Sequence, residues 1–376
     1  MKDLYVISEP EIILNEGCRN NALNEILKHY SKYNTNVRYI SSSDSDAIFS
    51  KDGVDYVSLS KYSKRKRNIL GCRREVKSFF ANALKDDNVH FQFRLPSMYA
   101  LQVYFLVRNI LPDEKVSFYI AGDWKESLKY NYPKYPLLSY ILPTIQDRVL
   151  RNKLCVFTGE ELLIKNHMRI SKGLDFYSTT HTINDVDTVP ISKFRTRAIC
   201  FIGRIEKLKN YNFMLSMARS ELGEDYHFHW LGDGPDRSEL EGAIKKNQLT
   251  NITLHGHVSD RRKFNEIVDK CKYFVLSSYT EGTSKTLPEM MCRSIVPIAF
   301  DNVGSNSKIL SYGNGVLVNV DDCEMVVKKI LEIDCDQSVY QSILDSGNKY
   351  AREHTIEIQL KRMFEFLYSS DLAPRK

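Results

Sequence analysis

The feature that most constrains the fold is an alternation of short apolar runs with longer amphipathic stretches, which begins twice along the chain. In the first half, Leu4–Ile7, Val37–Ile40, Val54–Leu59, Val89–Phe93 and Val116–Ala121 read as strands. Asn20–Tyr30, Arg73–Leu84 and Met98–Ile110 read as helices. A further strand-like run, Leu154–Thr158, precedes a polar stretch, Thr179–Thr188, taken as near a linker. The pattern then restarts with Ala198–Ile202, His227–Leu231, Ile252–His255, Tyr273–Ser277 and Val296–Ala299. Strands that alternate with helices pair in parallel, because a parallel neighbour needs a crossover connection. The expected fold class is α/β, with two Rossmann-like doubly wound domains facing a central cleft at the carboxyl ends of their strands. The expected division is 1–188, 189–354 and a C-terminal helical segment, 355–376, packing back toward the first domain. Ile358, Leu360, Met363, Phe364 and Leu367 give that segment apolar residues near helical spacing.

A chain of 376 residues with 43% hydrophobic and 27% charged residues can fill two such cores. Its net charge of +6 suits an anionic ligand or an acidic surface and is too weak to argue for nucleic acid. The 8 cysteines are scattered and form no C-x-x-C pair, so reduced thiols are expected and a zinc site is not. Met1–Ile13 has no basic-then-apolar leader pattern, and no apolar run approaches the roughly 20 residues of a spanning helix. A cytoplasmic protein is expected, at most peripheral on the inner face of the membrane. The run Lys61, Lys64, Arg65, Lys66, Arg67, Arg73, Arg74 and Lys77, broken by Ile69 and Leu70 and opposed only by Glu75, suits an anionic leaflet or a solvated basic face.

Three loops of the second half carry the chemistry. Gly203-Arg204-Ile205-Glu206-Lys207-Leu208-Lys209-Asn210 follows a strand, and there Arg204 and Lys209 can both reach the oxygens of a diphosphate. Leu231-Gly232-Asp233-Gly234-Pro235 also follows a strand, and its glycines permit a tight turn and close backbone approach. A full G-x-G-x-x-G fingerprint is missing, which argues against NAD. The third loop, Ser278-Tyr279-Thr280-Glu281-Gly282-Thr283-Ser284-Lys285-Thr286-Leu287-Pro288-Glu289, leads from a strand into an apolar helix at Leu287–Cys292. Small residues at a helix start leave backbone N–H groups for an anion, and Pro288 fits the first turn. Glu281 and Glu289 bracket that loop, with carboxylates suited to sugar hydroxyls. Each loop alone is equally a solvated basic loop, a structural turn or a dipole-stabilised helix end.

As a set, in order and at these distances, and with His255-Gly256-His257-Val258 between them, the motifs resemble the retaining glycosyltransferases of family four, which have the GT-B fold. The resemblance covers roughly 198–320 closely and the first half only in layout. It implies a hexosyltransferase that needs no metal and no cofactor, takes a nucleotide-diphosphate sugar (UDP rather than GDP), and retains anomeric configuration. Its acceptor would be a hydroxyl of a saccharide or lipid-linked sugar, in bacterial surface polysaccharide synthesis. Arg204 and Lys209 would neutralise the departing diphosphate, Glu281 would bind the donor sugar, and Glu289 would bind the ribose. Gly203, Gly232, Asp233, Val258 and the stretch Gly282, Thr283, Ser284, Lys285, Thr286 and Leu287 would line the donor site. The usual proposal is front-face attack, with the departing phosphate taking the acceptor's proton. Asp123, after Val116–Ala121, is a candidate contact to donor sugar or acceptor, or a helix N-cap. Gly17 and Arg94 are candidates on the acceptor side, although pairing with a surface carboxylate is the default reading of Arg94. The chain departs from the family's pattern at Ser294, where a glycine is usual, at Lys308, where a glutamate is frequent, and at Lys285. A nucleotide-sugar epimerase, a phosphorylase of the same fold, or a non-catalytic nucleotide-sugar binder are the alternatives.

Overall fold

A computed structural model describes residues 1–43, 47–61, 72–122, 124, 128, 137–166, 170, 172–188 and 195–369. The chain divides into two compact units, Met1–Thr180 with Glu357–Lys376, and His181–Ile356. The unit boundary precedes the sequence-based division at 188 because Ile183–Thr188 is a short helix of the second unit. There His181 Nε2 bonds the Ala351 carbonyl at 2.7 Å. Asp123 and residues 62–71 of the basic run lie outside the described residues. Arg73, Arg74 and Lys77 are exposed on helix Arg73–Ala83.

The first unit is built on β1 (Asp3–Ile7), β4 (Asn36–Ser43), β6 (Val54–Lys61), β7 (Val89–Leu95), β8 (Val116–Ile120), β9 (Leu154–Thr158) and β10 (Lys172–Phe176). From β10 through β9, β8, β7 and β1 to β4 and β6 every neighbour is parallel. A short antiparallel pair, β2 (Ile12–Ile13) with β3 (Gly17–Cys18), joins the β4 edge, and β5 (Ile48–Lys51) pairs antiparallel with β6. The central strands are buried on both faces, which is why β1, β8 and β9 read as nearly continuous apolar runs, while β7 also buries His90 and Gln92. Phe91, Phe93, Phe118 and Phe157 fill the core beneath helix Met98–Val107.

The last helix, Ile356–Tyr368, packs in this first unit. Phe364 stands edge-on to Tyr30 at 5.1 Å and stacks on Tyr33 at 5.6 Å. Tyr33 OH donates to the Glu357 carbonyl at 2.9 Å.

The second unit holds six parallel strands in the order β13 (Ile252–Leu254), β12 (His227–Leu231), β11 (Ala198–Ile202), β14 (Tyr273–Leu276), β15 (Val296–Phe300) and β16 (Val316–Val318). The chain runs from β11 out to β13, then returns to lay β14 on the other side of β11. The order in which strands are added therefore reverses between β11 and β14, and that switch point is where a doubly wound sheet opens for a ligand. All eight cysteines are free thiols. No helix among the described residues is long and apolar enough to cross a membrane. Ser294 adopts φ 55° as the left-handed residue that ends helix Thr286–Cys292, which is why a glycine suits that position.

Candidate functional site

The loops that follow β11 and β14 meet at the switch point of the second sheet. After β11 the chain turns through Gly203 and a single 3-10 turn, Lys207–Lys209. Asn210, left-handed at φ 53°, then directs it into helix Tyr211–Ala218. This places the Lys209 ammonium 2.6 Å from Glu281 Oε1, in the loop after β14. Both partners are largely shielded, with side-chain exposures of 25% and 14%. The two loops are also joined by main chain: Tyr279 N donates to the Leu208 carbonyl at 2.9 Å, and Ser277 Oγ donates to the Lys209 carbonyl at 3.1 Å. Arg204 extends outward, 70% exposed, with Glu206 at 3.6 Å as its partner.

The glycines of the second motif have a packing reason. Gly232, at φ +142°, lies so close to Gly203 that a Cβ there would sit 1.9 Å from the Gly203 carbonyl oxygen. That oxygen accepts from Trp230 Nε1 at 2.9 Å. Gly203 N donates to Leu231 O at 3.0 Å, Ile205 N to Asp233 O at 3.1 Å, and Gly232 N to Gly256 O at 2.9 Å. The ends of β11, β12 and β13 are thus zipped side by side, and the stretch carrying the half-buried Val258 is drawn up beside Gly232. The Asp233 carboxylate is occupied locally, accepting from Gly234 N at 2.8 Å and from Arg237 at 3.4 Å.

The loop after β14 exposes backbone donors. Among the described residues, the N–H groups of Gly282, Thr283, Ser284, Thr286 and Leu287 donate to no protein acceptor. The helix that follows begins at Thr286, one residue before the sequence-based start, and spans only 7 residues. The free donors therefore lie mostly in the turn before it, and the helix dipole adds little. Ser284 Oγ and Thr286 Oγ1 are 2.8 Å apart, and Lys285 occupies the N-cap position of the helix. Glu289 is 8% exposed on the inner side of this helix.

Three supporting residues were not singled out by sequence reasoning. Gly304, at φ +51°, packs so tightly that a Cβ would lie 2.4 Å from the carbonyl oxygens of both Glu281 and Gly282. Ser305 N donates to the Gly282 carbonyl at 3.0 Å. The Asp321 carboxylate accepts from Asn210 Nδ2 at 2.8 Å and from Tyr279 OH at 3.1 Å, so it ties the lysine-bearing loop to the glutamate-bearing loop. The glycine at 304 was a usable signal. Asp321 was not legible, because its partners are remote in sequence.

In the first unit, Gly17 is buried in the β2–β3 hairpin at φ +108°, where a Cβ would come within 2.9 Å of Asn24 Oδ1. Asn24 bonds both the N–H and the carbonyl of Cys18 at 2.8 Å, so glycine is required there by packing. Arg94 stands near the end of β7, over the ring of Tyr119.

Comparison with known proteins agrees with this architecture. Residues 191–350 match the model of Glycosyl transferases group 1. The chain is 26% identical over 210 residues to 2-deoxystreptamine N-acetyl-D-glucosaminyltransferase of Niallia circulans, covering 52% of this chain and 53% of that one. It is 26% identical over 162 residues to a Campylobacter jejuni α-1,4-N-acetyl-D-galactosaminyltransferase whose named substrate is an undecaprenol diphosphate-linked saccharide, covering 42% and 44%. The chain spans about half the length of the curated relatives it matches. Among solved structures, Anabaena Alr3699/HepE in complex with UDP and glucose superposes with a TM-score of 0.69 at 13% identity, over 98% of this chain and 100% of that one. The chain has the GT-B fold, and within it residues 191–350 match the Glycosyl transferases group 1 model.

Proposed function

We propose that the chain is a retaining, metal-independent glycosyltransferase that moves a hexosyl unit from a UDP-sugar to a hydroxyl of a saccharide or lipid-linked acceptor. The observation that carries this reading is the juxtaposition of Lys209, Glu281 and the open backbone N–H groups of Gly282, Thr283, Ser284, Thr286 and Leu287 at the switch point of the second sheet. A diphosphate accepts several hydrogen bonds at once, and a lysine beside a row of backbone N–H groups supplies both the donors and a fixed positive charge. Glu281 and Glu289 flank those donors, as a ligand with sugars at both ends of a diphosphate requires.

In this reading, negative charge grows on the diphosphate as the glycosidic bond to it breaks. Lys209, Arg204 and the loop amides stabilise that charge without moving, the kind of preorganised electrostatics that lowers a barrier most. The acceptor hydroxyl attacks from the side the diphosphate leaves, and a phosphate oxygen takes its proton. Glu281 would exchange its bond to Lys209 for hydroxyls of the donor sugar. UDP is favoured as the carrier because the GT-B neighbour was solved with UDP and glucose. Surface polysaccharide or lipid-linked oligosaccharide assembly on the cytoplasmic face of a membrane fits the named substrate of the Campylobacter relative.

The test is a panel of UDP-, GDP- and ADP-sugars incubated with the full chain and simple glycoside acceptors. Released nucleotide and the anomeric proton of the product are both followed. Nucleotide release with an α-linked product from an α-linked donor supports the reading. Inverted product overturns the retaining assignment, and donor binding without release under any acceptor overturns the transferase assignment.

A further inference from the structure

The sheet of the first unit has its own switch point. The chain leaves β1 for β4 and β6 on one side, then places β7, β8, β9 and β10 on the other, so the order reverses between β1 and β7. Arg94 is the penultimate residue of β7, at the carboxyl end where such a sheet takes its ligand. Its guanidinium lies 3.8 Å from the centre of the Tyr119 ring, and Tyr119 is its register partner on β8. Nη1 donates to Tyr30 OH at 3.4 Å, a long bond.

The surroundings are phenolic and uncharged. Tyr30 and Tyr119 touch the cation and Tyr39 adds to its electrostatic surroundings; burial pushes each phenol pKa up, so all three are neutral at working pH. Among the described residues, no carboxylate lies within 4.0 Å of Arg94. Other shielded arginines of the chain are matched: Arg38 pairs with Asp3 and Asp55, Arg293 with Asp269, and Arg195 donates to three backbone carbonyls. A guanidinium stays charged at any working pH. Holding it half-buried without a counter-ion is unfavourable, and the aromatic face beneath it offsets only part of that. A fork of N–H donors set over a ring, with no carboxylate partner among the described residues, is a preformed receptor for an anion.

We propose that Arg94, seated on Tyr119 and Tyr30, is an oxyanion-recognition point in the first unit, and that the acceptor carries a phosphate or carboxylate held there. The proposal rests on the transferase reading for the word acceptor. The anion site itself rests on the geometry of Arg94 alone. A guanidinium grips either group through two parallel hydrogen bonds, so phosphate monoesters and uronic acids share the required chemistry.

The experiment keeps the second unit occupied with saturating UDP and titrates glucose 6-phosphate, glucuronate and glucose, reading calorimetry and the shift in Tm. The expected result is a response to one or both anionic sugars and none to glucose. Arg94→Gln is expected to weaken that response about tenfold or more, while Arg94→Lys recovers part of it. Which anionic sugar responds assigns phosphate or carboxylate. No response from the wild-type protein, or a response unchanged by Arg94→Gln, overturns the proposal. A second measurement separates recognition from architecture. Arg94→Met keeps the apolar stem on the Tyr119 ring and is expected to hold or raise the Tm of the ligand-free protein. A fall of more than about 5 °C, on the order of 1–2 kcal/mol for a chain of this size, would make Arg94 a structural residue and overturn the proposal. UDP binding is read separately in the same titrations: its failure sinks the donor reading and leaves the Arg94 result standing or falling by its own arms.

Discussion

Lys209 Nζ stands 2.6 Å from Glu281 Oε1, and the two residues close the carboxyl ends of neighbouring strands, β11 and β14. Without a ligand each neutralises the other, so neither charge is left bare at the mouth of the sheet. A diphosphate offers the lysine a stronger anion and releases the carboxylate toward a sugar. Lys209→Ala is therefore expected to lower kcat/KM by about 10²- to 10³-fold, the scale of losing one preorganised donor to a transition-state charge. Lys209→Arg is expected to recover little, because the wider planar fork does not fit a site built for a compact ammonium. Steady-state kinetics with the donor identified in the panel decides this. A loss under threefold contradicts the role.

Asp321 is expected to act as a positioning residue for that pair. Its carboxylate holds Asn210, the left-handed residue after Lys209, and Tyr279, two residues before Glu281. Asp321→Ala removes these bonds and is expected to cost about 1–3 kcal/mol of stability. It should also raise the donor KM more than it lowers kcat, since the displaced groups bind the ground state as well. Tyr279→Phe removes one arm only and should give a smaller version of the same change. Equal loss in kcat and kcat/KM with unchanged KM would assign Asp321 a different role.

Gly232→Ala is expected to destabilise the second unit by about 3 kcal/mol or more, because its Cβ would overlap the Gly203 carbonyl and φ is positive there. Gly242→Ala is the control. It lies in helix Arg237–Lys246 with nothing within 4 Å of a new Cβ, and should stabilise by about 0.5–1 kcal/mol. Urea midpoints of the three proteins test both signs together.

Three histidines set an acid limit on the second unit. His229 Nδ1 is 3.0 Å from His255 Nε2, and the His227 ring lies 4.7 Å from that of His229. Burial lowers all three, and His229, further opposed by His227, His255 and Lys270, is pushed down to about 4. In the unfolded chain these rings titrate near 6.5, so between that pH and about 4 the unfolded state binds more protons. Stability from this cluster is complete above pH 6.5 and is lost progressively as pH falls toward 4. His229→Phe, which keeps the ring packing, is expected to flatten the acid side of the Tm–pH curve. An unchanged slope contradicts the assignment.

The doubly wound strands were legible because parallel strands covered on both faces are written as unbroken apolar runs, as in Leu4–Ile7 and Phe274–Leu276. The loops after β11, β12 and β14 were legible because glycine and cations mark them. Other elements lacked such signals. The β2–β3 pair is only two residues per strand, β10 is mostly half-buried, and helix Leu138–Val149 contains Pro143. The short helix Ile183–Thr188 reads as a polar linker because its packing is decided by residues near the other end of the unit. The site residues supplied by remote loops, Gly304 and Asp321, become meaningful only once the fold brings them to Glu281 and Asn210.

The central claim is that Lys209 and the amides of the loop after β14 bind a nucleoside diphosphate. Isothermal titration of UDP into the wild-type chain and into Lys209→Ala tests it most directly. The expected result is single-site binding by the wild type and a loss of about ten- to a hundredfold in the variant, the equivalent of one hydrogen bond to a charged partner. Equal affinity in the two proteins, or no binding of any nucleoside diphosphate to the wild type, would contradict the account.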